Sequence, residues 1–256
     1  GYRAPQAFDE DMHIAIVGGK RVRIRLADDL REERSHSVSL SADLYHTFGK
    51  VQTNLLVEGF YTILDDVFAL RDMDDAADGG KVKERYNGSG ATVRGFNVEG
   101  RAAFTRWFEL QAGVTLQQSR YKEPEFWSED AEVPPVRRMF RTPDAYGYFT
   151  ASFKPVRNFT ADLSGTCTGS MLVQHMAGSG VAQDVAVSTP SFFDMNIRLS
   201  YDVRIYKEIT MQLYGGVQNL FNAYQKDFDK GVDRDSGYIY GPSLPRSWFV
   251  GAKFSF

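Results

Sequence analysis

Residues 108–117, FELQAGVTLQ, set Phe108, Leu110, Ala112, Val114 and Leu116 against Glu109, Gln111, Gly113, Thr115 and Gln117. This is strict period-two alternation, the spacing at which successive side chains of a strand fall on opposite faces, and no helical stripe gathers those apolar positions together. The pattern extends in both directions. It sets Val38, Leu40, Ala42 and Leu44 against Ser37, Ser39, Ser41 and Asp43, and Phe193, Met195, Ile197 and Leu199 against Asp194, Asn196, Arg198 and Ser200. Further strands fit 51–63, 92–104, 145–153, 158–170, 208–218 and 246–256, about nine in all. A helical segment fits only within the first 35 residues.

The connections between these strands alternate in length. Tight turns are read at 48–51, 104–107, 153–158 and 201–208, whereas 64–91, 119–144, 171–191 and 219–245 are long and rich in Asp, Gly, Pro, Ser and Lys. Adjacent antiparallel strands with short turns at one end and long polar loops at the other describe a transmembrane β-barrel. In a soluble meander or sandwich the same alternation points the apolar face into a core, and periodicity alone does not separate inside from outside. Three features select the membrane: the loop asymmetry, aromatic residues near strand ends (Phe48, Tyr61, Trp107, Tyr121, Phe153, Phe159, Tyr201, Trp248), and the C-terminal WFVGAKFSF. That last run puts Trp248, Val250, Ala252, Phe254 and Phe256 on one face. Parity then assigns Glu58, Arg94, Asn97, Glu99, Glu109, Gln111, Thr115, Asp162, Arg198 and Gln212 to the lumen, and Leu110, Val114, Ile197, Leu199 and Val250 to lipid.

Composition agrees. Aromatic residues are 14% of the chain, with 23 Gly and 9 Pro, a balance that favours strands and turns. Hydrophobic residues at 43% and charged residues at 25% exclude gross disorder, and no apolar run approaches the ~18 residues of a spanning helix. A net charge of −3 and a pI near 5.9 argue against nucleic acid as a partner. The one cysteine, Cys167, can form neither an internal disulfide nor a thiolate zinc cage. The chain opens at Gly1 on a polar segment without an apolar leader, which reads as a processed or truncated piece of a longer protein.

The opening GYRAPQAFDED (1–11) and LADDLREERS (26–35) resemble the paired boxes of TonB-dependent receptors, written FRAP and NPNL-K-PE. Tyr2, Arg3, Ala4 and Pro5 match the first. Leu30, Glu32 or Glu33, and Arg34 stand where the second has its Leu and acidic residue, with Ala27 and Asp28 in place of Asn-Pro. GVQNLFNAYQ at 216–225 is similar to the family's near-terminal strand motif, and NGSGATVRGFNVEG at 87–100 to its Gly-rich approach to a strand; the terminal Phe256 fits as well. The resemblance implies a Gram-negative outer-membrane barrel of about 22 strands with a plugged lumen. Residues 1–35 would be the end of a preceding strand plus a long extracellular loop, and 36–256 the C-terminal barrel strands. The plug and TonB box would lie N-terminal of this chain, so TonB would be met through an absent region. About nine strands is an odd number with two open edges, and unpaired backbone groups in lipid cost several kcal/mol each. The sheet is therefore expected not to close on itself.

Candidate ligand-contacting residues are Tyr2 and Arg3 in the first box, His13 between the boxes, and His175. Haem receptors of the family carry an iron-coordinating histidine between the boxes, and neutral imidazole suits haem; the bland alternative for His13 is a solvated loop. MLVQHM at 171–176 offers Met171, His175 and Met176, a soft set compatible with copper. Its alternative is a strand end at the outer lipid boundary. His36 and His46 read as facing loop water and a periplasmic turn. Arg21, Arg23, Arg25, Arg31 and Arg34, with Arg137, Arg138 and Arg141, could attract anionic chelates or lipopolysaccharide, or simply be solvated. No GxSxG, GxxxxGK[ST] or HExxH is present, so no enzymatic chemistry is expected. The expected activity is energy-coupled import of a scarce metal chelate (ferric siderophore, haem or cobalamin) with no intrinsic cofactor. The alternative is a passive porin or structural barrel.

Overall fold

A computed structural model describes residues 1–5, 22–73, 81–128, 130–206, 209–242 and 244–255. Among these described residues sixteen strands are found: Tyr2–Arg3 (β1), Val22–Leu26 (β2), Glu33–Phe48 (β3), Val51–Asp65 (β4), Phe68–Met73 (β5), Lys81–Asn87 (β6), Ala91–Thr105 (β7), Phe108–Glu125 (β8), Val136–Arg138 (β9), Ala145–Val156 (β10), Phe159–Thr168 (β11), Leu172–His175 (β12), Val185–Ser188 (β13), Phe192–Tyr206 (β14), Ile209–Gln218 (β15) and Ser247–Ser255 (β16). The main sheet runs β1-β3-β4-β7-β8-β10-β11-β14-β15-β16 with β9 beside β8, and every pairing is antiparallel. Its long members are the strands read from alternation.

Strands β3 and β4, β7 and β8, and β10 and β11 are joined by two residues each, at 49–50, 106–107 and 157–158. Gly49 takes φ +65° in the first of these turns, a conformation open to glycine at no steric cost. Register shifts at Ala103/Thr105, Phe153/Val156 and Arg204/Tyr206 lie at the same end of the sheet. No pairing joins β3 to β16 among the described residues, so the sheet has open edges.

The side chains are inside out relative to a water-soluble sheet. Leu40 is 82% exposed and Val250 90%, and Val114, Leu116, Leu199 and Trp248 are exposed as well. Among the described residues the buried hydrophobic ones are Ala27, Ala91, Val173, Val217 and Tyr238, and none lies at the middle of a long strand. Apolar surface gains about 25 cal/mol per Å² on leaving water. Here no protein covers it, and lipid is the medium that would.

The structure corrects the reading at Arg94 and at 172–175, and it adds elements within the long connections and the described part of the first 35 residues. Arg94 is on the apolar face: it stands opposite Tyr61 and Gln118, three residues from Asn97, and an odd separation along an unbroken strand reverses the face. Within the described part of the first 35 residues there is no helix. Val22, Ile24 and Leu26 alternate with Arg23 and Arg25 in β2, which pairs in parallel with β6, itself antiparallel to β5. The long connections contain secondary structure, the β2-β6-β5 sheet and the β12-β13 hairpin. Residues 172–175 belong to that hairpin and not to a strand end at the lipid boundary. His13 and Phe256 lie outside the described residues.

Candidate functional site

The polar face is a wall that carries a series of separate hydrogen-bonded side-chain groups. Glu58, Asn97 and Thr115 face one another across β4, β7 and β8. The Asn97 amide donates to Glu58 at 2.9 Å and accepts from the Thr115 hydroxyl at 2.8 Å. One step toward the short turns, Glu99, Gly113 and Tyr148 form the next row. Tyr148 donates to Glu99 at 2.6 Å, and Gln111 donates to Glu99 at 2.8 Å and to the Tyr148 hydroxyl at 3.1 Å. Gly113 makes this possible: a Cβ there would sit 2.7 Å from Cε1 of Tyr148, so only glycine lets that ring lie across β8. Arg101 pairs with Glu109, Ser152 donates to Asp162, and Arg198 donates to Gln212 at 3.1 Å with its guanidinium 4.7 Å from the centre of the Tyr214 ring. Opposite charges and amides alternate along this wall, so it offers polar contacts without a large field of one sign.

Above the wall the loops form two assemblies. In the first, Asn87 accepts from the Arg31 amide at 2.7 Å and donates to the carbonyls of Arg31 and Asp66, while Arg31 pairs with Asp66 at 2.9 Å. Buried Glu84 takes Arg71 at 2.8 Å, and Glu33 accepts the Phe68 amide at 2.6 Å.

The second assembly locks 119–144, 171–191 and 219–245 together. Asn219, at φ +50° and 4% exposed, donates to the carbonyls of Ala223 and Leu244 and accepts the Ala223 amide, which closes the turn after β15. Gln225, 1% exposed, clasps the Tyr238 carbonyl and the Tyr240 amide. His175 Nε2 lies 3.0 Å from both Asp229 carboxylate oxygens, and its ring stacks on Tyr238 at 3.7 Å and 6°. Gly180 packs against that carboxylate so closely that a Cβ would meet it. Asp235 accepts the Met176 amide, Asp184 accepts the Ser128 hydroxyl and the Ala177 amide, and Arg141 donates to the carbonyls of Ile239 and Gly237. Asp227 accepts both the Tyr238 and Tyr240 phenols, at 3.0 and 2.6 Å. Burial, and then Asp227, pushes the Tyr238 phenol up to about 12 and raises Tyr240 as well. Burial works against ionisation of Asp227, but the Tyr240 and Tyr238 donors hold its carboxyl below the usual range.

A family model described as TonB dependent receptor-like, beta-barrel, matches residues 1–220. The chain belongs to this family. No match was found among curated proteins. Among solved structures, the ferric-catecholate import receptor Fiu from E. coli K12 is 17% identical at a TM-score of 0.59, over 88% of this chain and 28% of that one. The ferric enterobactin receptor from Pseudomonas aeruginosa is 14% identical at 0.60, over 98% and 36%, and the siderophore receptor PirA from Acinetobacter baumannii 17% at 0.55, over 94% and 35%. At such identities the likeness establishes the fold. The chain spans about a third of the length of these structures.

For a TonB-dependent receptor barrel, a type found in Gram-negative outer membranes, the sequence-derived residues distribute as follows. The two boxes meet: Tyr2 and Arg3 in β1 stand opposite Arg34 and Glu33, with Arg3 3.6 Å from Glu33 and its guanidinium 5.7 Å from the centre of the Phe68 ring. Tyr2 is exposed. His175 is buried against Asp229 and Tyr238, far in sequence from the boxes, and is not brought together with them. His36 and His46 are exposed on β3, on the face that carries Val38, Leu40 and Leu44. Sequence reasoning passed over Asp227, Asp229, Asp235, Tyr238 and Tyr240; a signal was present in the Asp- and Tyr-dense run from Asp227 to Tyr240 that follows the NLFNAYQ motif.

Proposed function

We propose that the chain forms part of an energy-coupled outer-membrane receptor that imports a metal chelate, with ferric siderophores first among the candidates and haem and cobalamin next. One observation carries this reading: a paired, hydrogen-bonded polar wall backs an exposed apolar face, and pre-assembled loops stand above it. Such a wall can hold a polar plug without burying unpaired charge. The loops can capture ligand before a TonB-driven movement of that plug, and no bond chemistry is required. The names of the structural neighbours, two ferric-chelate receptors and a siderophore receptor, favour iron.

The test is uptake of radio-iron-labelled ferric enterobactin, labelled haem and labelled cyanocobalamin by cells producing the full-length protein, with and without TonB. Saturable uptake of one of them that is lost without TonB is the expected result. Flux that rises linearly with concentration and ignores TonB would identify a passive pore and sink the proposal.

A further inference from the structure

The loop 219–245 brings the oxygens of one carboxyl and two phenol side chains together over the polar face. Asp227 Oδ2 accepts the Tyr238 phenol at 3.0 Å and Asp227 Oδ1 the Tyr240 phenol at 2.6 Å, and the two rings meet edge to face with centres 5.2 Å apart. The Tyr240 ring centre stands 6.0 Å from that of Phe192, which is two residues from Asp194 on the polar side of β14. The cluster is therefore on the lumen side, at the end that carries the long loops. Asp227 is exposed and Tyr240 partly so, which leaves these oxygens open to a solute.

No cation sits against Asp227. Its hydrogen-bond partners are neutral, the two phenols and the Gln225 side chain, and among the described residues no Lys or Arg pairs with it. The neighbouring charges are engaged elsewhere: Asp229 takes His175, Asp235 accepts the Met176 and Gly237 amides, and Arg141 is held by the carbonyls of Gly237 and Ile239. Lys226 lies 5.7 Å from the centre of the Tyr224 ring. The donors are also fixed from behind. Buried Gln225 clasps the Tyr238 carbonyl and the Tyr240 amide, and the Tyr238 ring stacks on His175. A cation site needs such a shell, which sets the donors in place before the ion arrives.

Spacing and chemistry together select the ion. Oxygens on adjacent corners of an octahedron around a small hard cation, each about 2.0 to 2.1 Å from it, lie about 2.9 Å apart. The two phenol–carboxylate separations bracket that value. Among the described residues no three His, Cys, Asp or Glu side chains converge, so metals that prefer thiolate or imidazole find no set here. Phenols are protonated at neutral pH, and a metal that binds them must displace those protons. A trivalent ion of high Lewis acidity does so, as bound metals do with other ligands, whereas calcium and magnesium are satisfied by carboxylate, carbonyl and water.

We propose that Asp227, Tyr238 and Tyr240 form a site for ferric iron, held by one carboxylate and two phenolates. Two O–H bonds break as two O–Fe bonds form, and both protons pass to water. The ferric charge is balanced by the three anionic side chains, and iron keeps its oxidation state. Its remaining positions stay open to water or to the chelate that delivers it. The inference deepens the import reading, on which it rests for the meaning of the bound iron as cargo.

The test adds ferric nitrilotriacetate to the full-length protein purified in detergent and reads the visible phenolate-to-iron charge-transfer band. A saturable band is expected. Tyr238→Phe and Tyr240→Phe, which keep the rings and their packing, should each weaken it, and both Y238F/Y240F and Asp227→Asn should abolish it. An unchanged proteolysis pattern in the Phe variants would show that these losses come from the missing oxygens. Tyr45→Phe, which removes a lone phenol from Asp43 near the short-turn end of β3, should leave the band unchanged. Absence of the band in the parent, or its persistence in Y238F/Y240F, overturns the proposal. Suppression of the band by excess calcium overturns the ferric assignment in favour of a site for divalent cations. TonB-dependent uptake without the band defeats this inference alone, and the band without such uptake upholds the site while the import reading fails.

Discussion

The strands and the loops of this molecule are held by opposite means. Along the middle of the long strands no hydrophobic side chain is buried, and Leu199 on β14 is exposed. In the loops and at their base lie the largest fully buried side chains, Arg85, Gln225, Val173 and Ser119, three of them polar or charged. A soluble domain buries apolar groups and exposes polar ones. Here the strand region leaves its apolar face uncovered by protein, and the loop region packs around polar groups most of which are hydrogen-bonded, Ser119 Oγ, Arg138 Nε and Asp144 Oδ1 at its base being buried without a hydrogen bond. The strands should therefore depend on the membrane for stability, and the loops on one another.

The sharpest way to break this contrast is to place charge on each face of one strand. Arg at a lipid-facing midplane position costs ~2 to 4 kcal/mol. Leu199→Arg should lower the fraction of heat-modifiable, membrane-inserted protein severely, whereas Asn196→Arg, three residues away on the polar face, should insert nearly normally. Equal insertion of the two variants would refute the assignment of faces.

A smaller effect, confined to the loops, is expected from Asp229→Ala. It leaves the buried His175 imidazole without its carboxylate, a loss of about 1.5 to 3 kcal/mol for a hydrogen bond to a charged group. Limited proteolysis should then cut within 176–184 or 226–236, with insertion unchanged. If insertion fell as far as in Leu199→Arg, strands and loops would be one cooperative unit and the contrast would be wrong.

Between these two lies the polar wall. Gly113→Val would push the Tyr148 ring off β8 and release its hydrogen bond to Glu99, which costs about 1 kcal/mol. A modest fall in thermal stability in detergent should follow, and Tyr148→Phe should reproduce most of it without steric conflict. A Gly113→Val effect far above that of Tyr148→Phe would show that the glycine serves backbone approach more than the phenol.

Legibility in the sequence followed the same division. Where one face meets lipid and the other a polar interior, each residue is constrained by parity alone, so β3, β8 and β14 could be read from SVSLSADL, FELQAGVTLQ and FDMNIRLS. Arg94 and Asn97, three residues apart on one unbroken strand, cannot share the lumen face; at the rim, charge and lipid-facing parity coexist. The loops obey no period. His175 is buried by Asp229, 54 residues away, and Asn87 is tied to Arg31 across 56, so long-range pairing decides their roles and no local pattern reports it. Asn219 was visible as a motif, but its part in closing the turn after β15 required the positions of Ala223 and Leu244.

The smallest expected effect concerns pH and the loops alone. The Tyr238 phenol is raised to about 12 in the folded loops, chiefly by burial and next by Asp227, against about 10 in an unfolded chain. A group whose folded value is raised contributes stability that is complete below the unfolded value and is lost as pH climbs through the folded one. The loss from Tyr238 therefore falls between about pH 10 and 12. Asp227 has the opposite sign: its folded carboxyl lies below the usual range, so its contribution is present above about pH 4 and disappears as pH falls through the folded value. The second loop assembly should accordingly resist proteolysis across the neutral range and open at both extremes, while the inserted strands remain heat-modifiable throughout. In Asp227→Asn the acid limb should vanish, and the phenolate absorbance of Tyr238 should emerge at lower pH than in the parent, though still above 10 because burial remains. If that absorbance emerges at the same pH in both proteins, Asp227 does not hold the phenol, and the packing of Tyr238 on His175 is what keeps the loops together.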